Sequence, residues 1–300
     1  MTAAGPARWH GVYPSTILPM RPDFMPDWDA YARHTAACGL HPGIAGVLCN
    51  GHAGENFIIS PAEKRRAVAA TVATVGKAGI VVAGVNQESS LEAAREAAHA
   101  MEAGADAVMV FPPNGFALAQ DGEAALRHHR LTAAAVPGTP MFLFQASHAA
   151  GHMAYTPAVL DRLIDIPEVV GIKEGGWEVN RYDALRRRVA ARRPDVAVLA
   201  SGDEHLLACM AHGSDGSMVS LAAIIPADIL ALDAAMRASD LGVARADRAI
   251  GGRDLWPAAR RAGHGADQMV PRRLAPHPAC RRASADRLGR RNGSGVAACL

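Results

Sequence analysis

Aromatic residues are scarce in this chain of 300 residues, at 5%, so the apolar half of its composition must build a core from Ala, Val, Ile and Leu. No stretch approaches the roughly 20 consecutive apolar residues that a membrane-spanning helix needs, so no membrane partner is expected. The opening MTAAGPARWHGVYP has no apolar segment of the export-signal kind, which makes a cytoplasmic protein the expectation. Cysteine is equally sparse: Cys38, Cys49, Cys209, Cys280 and Cys299 are scattered, odd in number and never spaced C-x-x-C. They read as reduced thiols, and neither a disulfide framework nor a zinc site is expected. No glycine fingerprint for a dinucleotide follows the first strand pattern, where the chain reads Tyr13-Pro14-Ser15-Thr16, and no Gly-x4-Gly-Lys-Ser/Thr occurs. No cofactor is therefore expected. Lysine is the rarest charge, with Lys64, Lys77 and Lys173 set against 28 arginines.

Short apolar runs alternate with Ala-rich segments that carry charge on one face. The predicted strands are Val12–Leu18, Ile44–Cys49, Ile80–Val85, Ala107–Phe111, Met141–Gln145, Val169–Glu174, Val196–Ser201 and Gly216–Ser220. Each is apolar on both faces, as buried parallel strands are. Ser60-Pro61-Ala62-Glu63 has the cap, first-turn proline and acidic residue of a helix start, and Ser90-Leu91-Glu92 and Thr156-Pro157 read in the same way. Gly76, Gly79 and Gly104 fall near helix ends, where a left-handed residue is wanted. Eight such repeats with short connections predict a (β/α)8 TIM barrel over residues 1–250; a doubly wound open sheet is the structural alternative.

In such a barrel the active site lies at the carboxyl ends of the strands. Lys173 stands there, in Val169-Val170-Gly171-Ile172-Lys173-Glu174-Gly175-Gly176, inside a strand pattern where an ammonium is costly unless it has a task. Desolvation lowers a lysine pKa and frees the amine to attack a carbonyl. The plainer reading pairs Lys173 with a carboxylate such as Glu55. Lys64 and Lys77, on a predicted helix and at its end, read as solvated cations. After the second strand, Cys49-Asn50-Gly51-His52-Ala53-Gly54-Glu55 holds two glycines around a turn whose amides can cradle a carboxylate, or simply lead into a helix.

Gly51-x-x-Gly54-Glu55, Gly171-Ile172-Lys173-Glu174, Ser201-Gly202-Asp203 and Gly213-Ser214-Asp215-Gly216 occur in register at successive strand ends. Together they resemble the dihydrodipicolinate synthase / N-acetylneuraminate lyase family over roughly residues 10–245. The resemblance implies a class I lyase acting on pyruvate or another 2-oxo acid, of aldolase or hydratase-aldolase type. It implies Lys173 as the Schiff-base lysine and Gly51, His52 and Ala53 as the loop holding the substrate carboxylate. Met218 is implied as an apolar lining residue, and a homo-oligomer, dimer or tetramer, as the assembly.

The chain departs from the family at chosen places. His52 and Ala53 stand where two hydroxyl residues are usual. Phe144 occupies the position of a proton-shuttling tyrosine, and phenylalanine has no proton to move. Ala149 replaces the arginine that holds a second carboxylate, and Pro113 and Asn114 replace a tyrosine pair. These losses argue against dihydrodipicolinate synthase itself and for a smaller or less polar second substrate. His52 is the preferred catalytic replacement as proton carrier over His148 and His152, since an imidazole titrates near neutrality. Two other readings compete: a catalytically impaired or non-catalytic barrel that binds a 2-oxo acid, and a metal-dependent lyase using His52, His148, His152 or His205, the lowest-ranked of the three.

Residues 251–300 differ in texture. They hold ten Arg and three Asp, a surplus of seven positive charges that leaves the first 250 residues five negative. Glu, Lys and Ile are missing from this tail, and Pro271, Pro276 and Pro278 interrupt any helix. Such a segment is what a shifted reading frame in a GC-rich gene produces. With Trp256 its only aromatic residue, a nucleic-acid partner is not expected. Without the helices that usually cover the barrel here, apolar surface around Ile224–Leu232 is expected to be exposed.

Overall fold

The computed structural model describes residues 6–240 apart from Gln120; the tail at 251–300 lies outside the described residues. Eight parallel strands alternate with helices: β1 (Gly11–Pro14), β2 (Gly46–Cys49), β3 (Ile80–Val85), β4 (Ala107–Val110), β5 (Met141–Gln145), β6 (Val169–Glu174), β7 (Ala197–Ala200) and β8 (Gly216–Val219). Neighbours pair in the order β1-β8-β7-β6-β5-β4-β3-β2. The remaining seam closes through Ala45 N–H to Val12 O at 3.1 Å, Thr16 N–H to Leu48 O at 2.9 Å and a parallel bridge between Ser15 and Leu48. The chain is a (β/α)8 barrel, not an open sheet. The predicted β1 continued to Leu18, but the ladder ends at Pro14. Beyond Thr16 the strand leaves its neighbours, and the Ile17 amide donates to His34 Nε2 at 3.3 Å.

The apolar character of both strand faces has two destinations. Inward residues such as Tyr13, Leu48, Met109, Phe142 and Leu199 fill the bore. Outward residues such as Val12, Val81, Leu143, Ile172 and Val198 meet the helices. Large and small side chains interlock within the bore: a Cβ on Gly171 would lie 2.4 Å from the Phe142 ring, so the Phe142 ring occupies the space a side chain there would need.

The helices are α1 (Trp28–Gly39), α2 (Pro61–Val75), α3 (Ser90–Glu102), α4 (Gly122–Ala135), α5 (Pro157–Ile164), α6 (Val179–Arg192), α7 (Leu206–Ala211) and α8 (Pro226–Arg237). Ser60 and Glu63 form the predicted capping box of α2, and Thr156 caps α5. Ser89, not Ser90, caps α3, because Glu92 sits three residues after Ser89, the spacing the motif requires. Of Gly76, Gly79 and Gly104, only Gly104 has positive φ, at 95°; Gly76 keeps a helical φ of −56°. The expected open patch at Ile224–Leu232 is largely closed: Ile229 and Leu232 lie in the core, and Ile224 is 36% exposed. No helix among the described residues is long and apolar enough to cross a membrane.

Lys64 is not the solvated cation its helical setting suggests. Its side chain is buried between α2 and α3, with Nζ 3.0 Å from Glu96 and 2.7 Å from the Asn86 carbonyl. Glu96 also accepts from the Asn86 amide and from Gln87 Nε2. Breaking a buried pair strands the other charge, whereas replacing both partners by apolar groups can be neutral. Lys64→Met is therefore expected to cost about 3–5 kcal/mol in urea unfolding, and the double variant Lys64→Met/Glu96→Leu to recover most of it. A single-variant loss under ~1 kcal/mol would show that water screens this pair as it does a surface one.

Candidate active site

The carboxyl end of β6 is held from three sides. Gly175 N–H donates to Gln145 O at 2.8 Å, Ser201 Oγ donates to Glu174 O at 2.8 Å, and Gly176 N–H donates to the Glu174 carboxylate at 2.8 Å. This anchoring fixes the strand alternation, so Lys173 points into the bore and Glu174 toward the helices. Lys173 is 9% exposed; its Nζ donates to Ser15 Oγ at 3.2 Å and lies 5.9 Å from the centre of the Phe144 ring. Burial pushes its pKa down to about 8, with the Asp203 carboxylate pulling in the opposite direction. Asp203, whose charge reaches Lys173, stands on the turn after β7.

The turn after β2 is a 3-10 segment, His52–Gly54, entered through Asn50 at φ 51°. Two of its amides are engaged internally, Gly54 N–H to Gly51 O at 2.9 Å and Glu55 N–H to His52 O at 3.1 Å. The His52 ring lies between two phenylalanines, 4.5 Å from Phe57 and 4.4 Å from Phe111, tilted by 31° and 32°. Phe144 meets it edge-on at 5.0 Å and lies 4.9 Å from Phe111. Burial, then the nearby Lys173 charge, pushes the His52 pKa down to about 3. At neutral pH this imidazole is uncharged, with one ring N–H and no acidic imidazolium proton.

Met218 on β8 is fully buried in the bore cluster that also contains Phe144 and Leu199. On the helix side of β6, burial pushes Glu174 up to about 7 despite the Gly176 amide. The structure thus brings Lys173, His52 and Phe144 together at one end of the barrel. His148, His152 and His205 are exposed, the first two on a kinked segment after β5. Among the described residues no three His, Cys, Asp or Glu side chains are grouped to hold a metal ion. Ser15 and Asp203 stand within sequence motifs that give them no role, and Phe57 and Phe111 carry no functional signal in the sequence. A hydroxyl pair, Ser15-Thr16, at the end of the first strand was the available signal for Ser15.

A family model described as the dihydrodipicolinate synthetase family matches residues 10–249. An uncharacterized DapA-like lyase of Halobacterium salinarum is 32% identical over 241 residues, 80% of this chain and 76% of that protein. A 4-hydroxy-tetrahydrodipicolinate synthase of Salinibacter ruber is 30% identical over 254 residues, 84% of this chain and 80% of the other. Among solved structures, YagE of E. coli K12, a prophage protein determined in complex with pyruvate, superposes with TM-score 0.74 at 22% identity, covering 80% of each chain. An N-acetylneuraminate lyase of Fusobacterium nucleatum gives TM-score 0.75 at 18% identity over 85% of each chain.

Proposed function

The chain belongs to the dihydrodipicolinate synthetase family, and from that premise we propose that it is a class I lyase forming a Schiff base between Lys173 and a 2-oxo acid. The observation that carries this reading is the buried Lys173 amine at the mouth of the barrel, in reach of Ser15 and with its pKa drawn down to about 8. A neutral amine adds to the ketone, water leaves, and the resulting iminium draws electrons from the adjacent carbon. The amides of His52 and Ala53, beside those already used within the turn, are the donors for the substrate carboxylate. Ser15, hydrogen-bonded to Lys173, holds the amine in place, and Met218 closes the apolar floor. His52 serves as a neutral wall of the pocket, since its depressed pKa unsuits it to carry protons at neutral pH.

One observation favours the alternative of a 2-oxo-acid-binding barrel with impaired chemistry: Phe144, without a hydroxyl, faces Lys173 where the resembled family has its proton shuttle. Trapping with borohydride separates chemistry from its absence. Incubated with pyruvate and sodium borohydride, the wild-type chain should gain one reduced pyruvyl group by intact mass, and Lys173→Ala none. The initial trapping rate should climb about tenfold per pH unit below pH 8 and level off above it, because the free-amine fraction follows the depressed pKa. A rate still climbing beyond pH 10 would mean that the amine is solvated as in a free lysine. No adduct on folded wild-type protein would leave only the binding role.

A further inference from the structure

Outward from Lys173 the packing turns aromatic, from the buried Phe144 and Phe111 to Phe57 at the surface. Phe144, Phe111, His52 and Phe57 follow one another at 4.4–5.0 Å between ring centres, and Phe57 reaches solvent at 44% exposure. The glycines behind these rings make room for them. A Cβ on Gly175 would lie 2.9 Å from Phe144 Cε2 and Cζ, and one on Gly84 would lie 3.1 Å from Phe111 Cε2. Trp177 stands on the loop that follows β6, 61% exposed and with φ at 56°. A bulky residue in that left-handed region is strained, and the indole lies over Gly202, where an added Cβ would come within 3.2 Å of Trp177 Cδ1. Two large aromatic side chains, Phe57 and Trp177, are thus presented to water on turns after β2 and β6, and among the described residues one cation, Lys173, is paired with a ring of the stack.

Such a wall discriminates among second substrates. A polyhydroxylated or carboxylated partner needs hydrogen-bond donors and acceptors, and phenyl faces supply none, so its polar groups would be desolvated without compensation. An aryl group continues the stack at the spacing its members already keep. The position at which the resembled family carries a cation for a second carboxylate is Ala149, exposed on its loop.

We infer that the carbonyl partner of this enzyme is an aryl aldehyde, held against Phe57 and His52, which the buried rings of Phe111 and Phe144 back, with Trp177 at the mouth. The inference rests on the Schiff-base role of Lys173. In the cleavage direction the amine of Lys173 condenses with C2 of a 4-aryl-4-hydroxy-2-oxobutanoate and one water is released. The C4 hydroxyl proton is lost to water, the C4–O bond becomes a carbonyl, and the C3–C4 bond breaks with its electron pair passing into the iminium. The aryl aldehyde leaves; the enamine takes a proton at C3, and water hydrolyses the imine to pyruvate and free Lys173. No oxidant or reductant is involved.

The test uses the full chain and needs no turnover. Equimolar 2-oxo-4-phenylbutanoate and 2-oxoglutarate compete for borohydride trapping at Lys173, read by intact mass, with pyruvate trapped separately as the control. The phenyl acid should be captured about tenfold in preference, an advantage that one good ring contact supplies. In Phe57→Ala and in Trp177→Ala, both exposed enough to leave folding intact, the ratio should fall several-fold. If pyruvate is trapped but 2-oxoglutarate equals or beats the phenyl acid, the aryl assignment is overturned and the Schiff-base role stands. If the ratio is high but unmoved in both variants, the ring wall is not its source and the assignment of these residues is overturned. Failure to trap pyruvate on folded protein overturns the Schiff-base role and this inference with it.

Discussion

Lys173→Met is expected to abolish pyruvate trapping completely and, at the same time, to stabilise the folded protein by about 2–3 kcal/mol at pH 7. The first effect follows because, among the described residues, Lys173 is the only lysine within the bore. The second follows from burial, which lowers the lysine pKa to about 8 from its ordinary 10.5. Below pH 8 both folded and unfolded chains carry the proton, and the folded state bears the full cost of an ammonium in an apolar setting. Between pH 8 and 10.5 the unfolded chain binds more protons than the folded one, so this group's penalty fades as pH rises. Methionine fills a similar volume without charge. The gain over wild type, measured by urea unfolding, should therefore be largest below pH 8 and shrink towards zero by about pH 10.5. A Met variant less stable than wild type at pH 7 would show that the Ser15 hydrogen bond and the Asp203 charge outweigh desolvation.

The same strand carries a second ionisation cost on its other face. Glu174, raised to about 7, alternates with Lys173, so β6 ends in two side chains whose charged forms the fold disfavours. Groups pushed this far are concentrated where chemistry is done, and the three hydrogen bonds that fix the end of β6 keep them there. Stability given up at this strand end is recovered in the layers beneath, where Phe142 interlocks with Gly171.

Most of the barrel is legible in the chain itself. Buried parallel strands must be apolar on both faces, so Ile80–Val85, Met141–Gln145 and Val169–Glu174 coincide with observed strands from end to end. Lys173 stands out for the same reason, as a cation interrupting such a run. Its surroundings do not, because they are long-range: Ser15 is 158 positions away, and the ring stack joins residues that follow β2 and β4 with one near the end of β5. His52 could be placed near the substrate from its motif, but its neutral state depends on Phe57, Phe111 and the Lys173 charge meeting it in space. The burial of Lys64 is hidden on the same ground. A helix pattern shows the face it presents, but not that Glu96 on the next helix will reach across and draw the ammonium under.

Phe144→Tyr is expected to raise the exchange of pyruvate methyl protons with deuterated water by about 10²-fold, the lower end of what a positioned acid–base group contributes. That exchange reads the iminium–enamine step alone and requires no second substrate. The ring at position 144 already sits beside the Lys173 amine, and its partner Gly175 leaves the ring edge unobstructed by a side chain. A phenol there adds one donor–acceptor oxygen where the native ring has none, while keeping the contacts to His52 and Phe111. Phe144→Leu, which removes the ring without adding a hydroxyl, should show no gain, so a rise in both variants would point to looser packing instead of proton transfer. If tyrosine leaves exchange unchanged while pyruvate is still trapped, protons already move at the required rate through solvent at the open mouth, and Phe144 is there for the aryl partner. A hundredfold rise would mean the wild-type chain has exchanged proton-transfer speed for an aromatic wall, a trade that suits a substrate whose own hydroxyl can lose its proton to water.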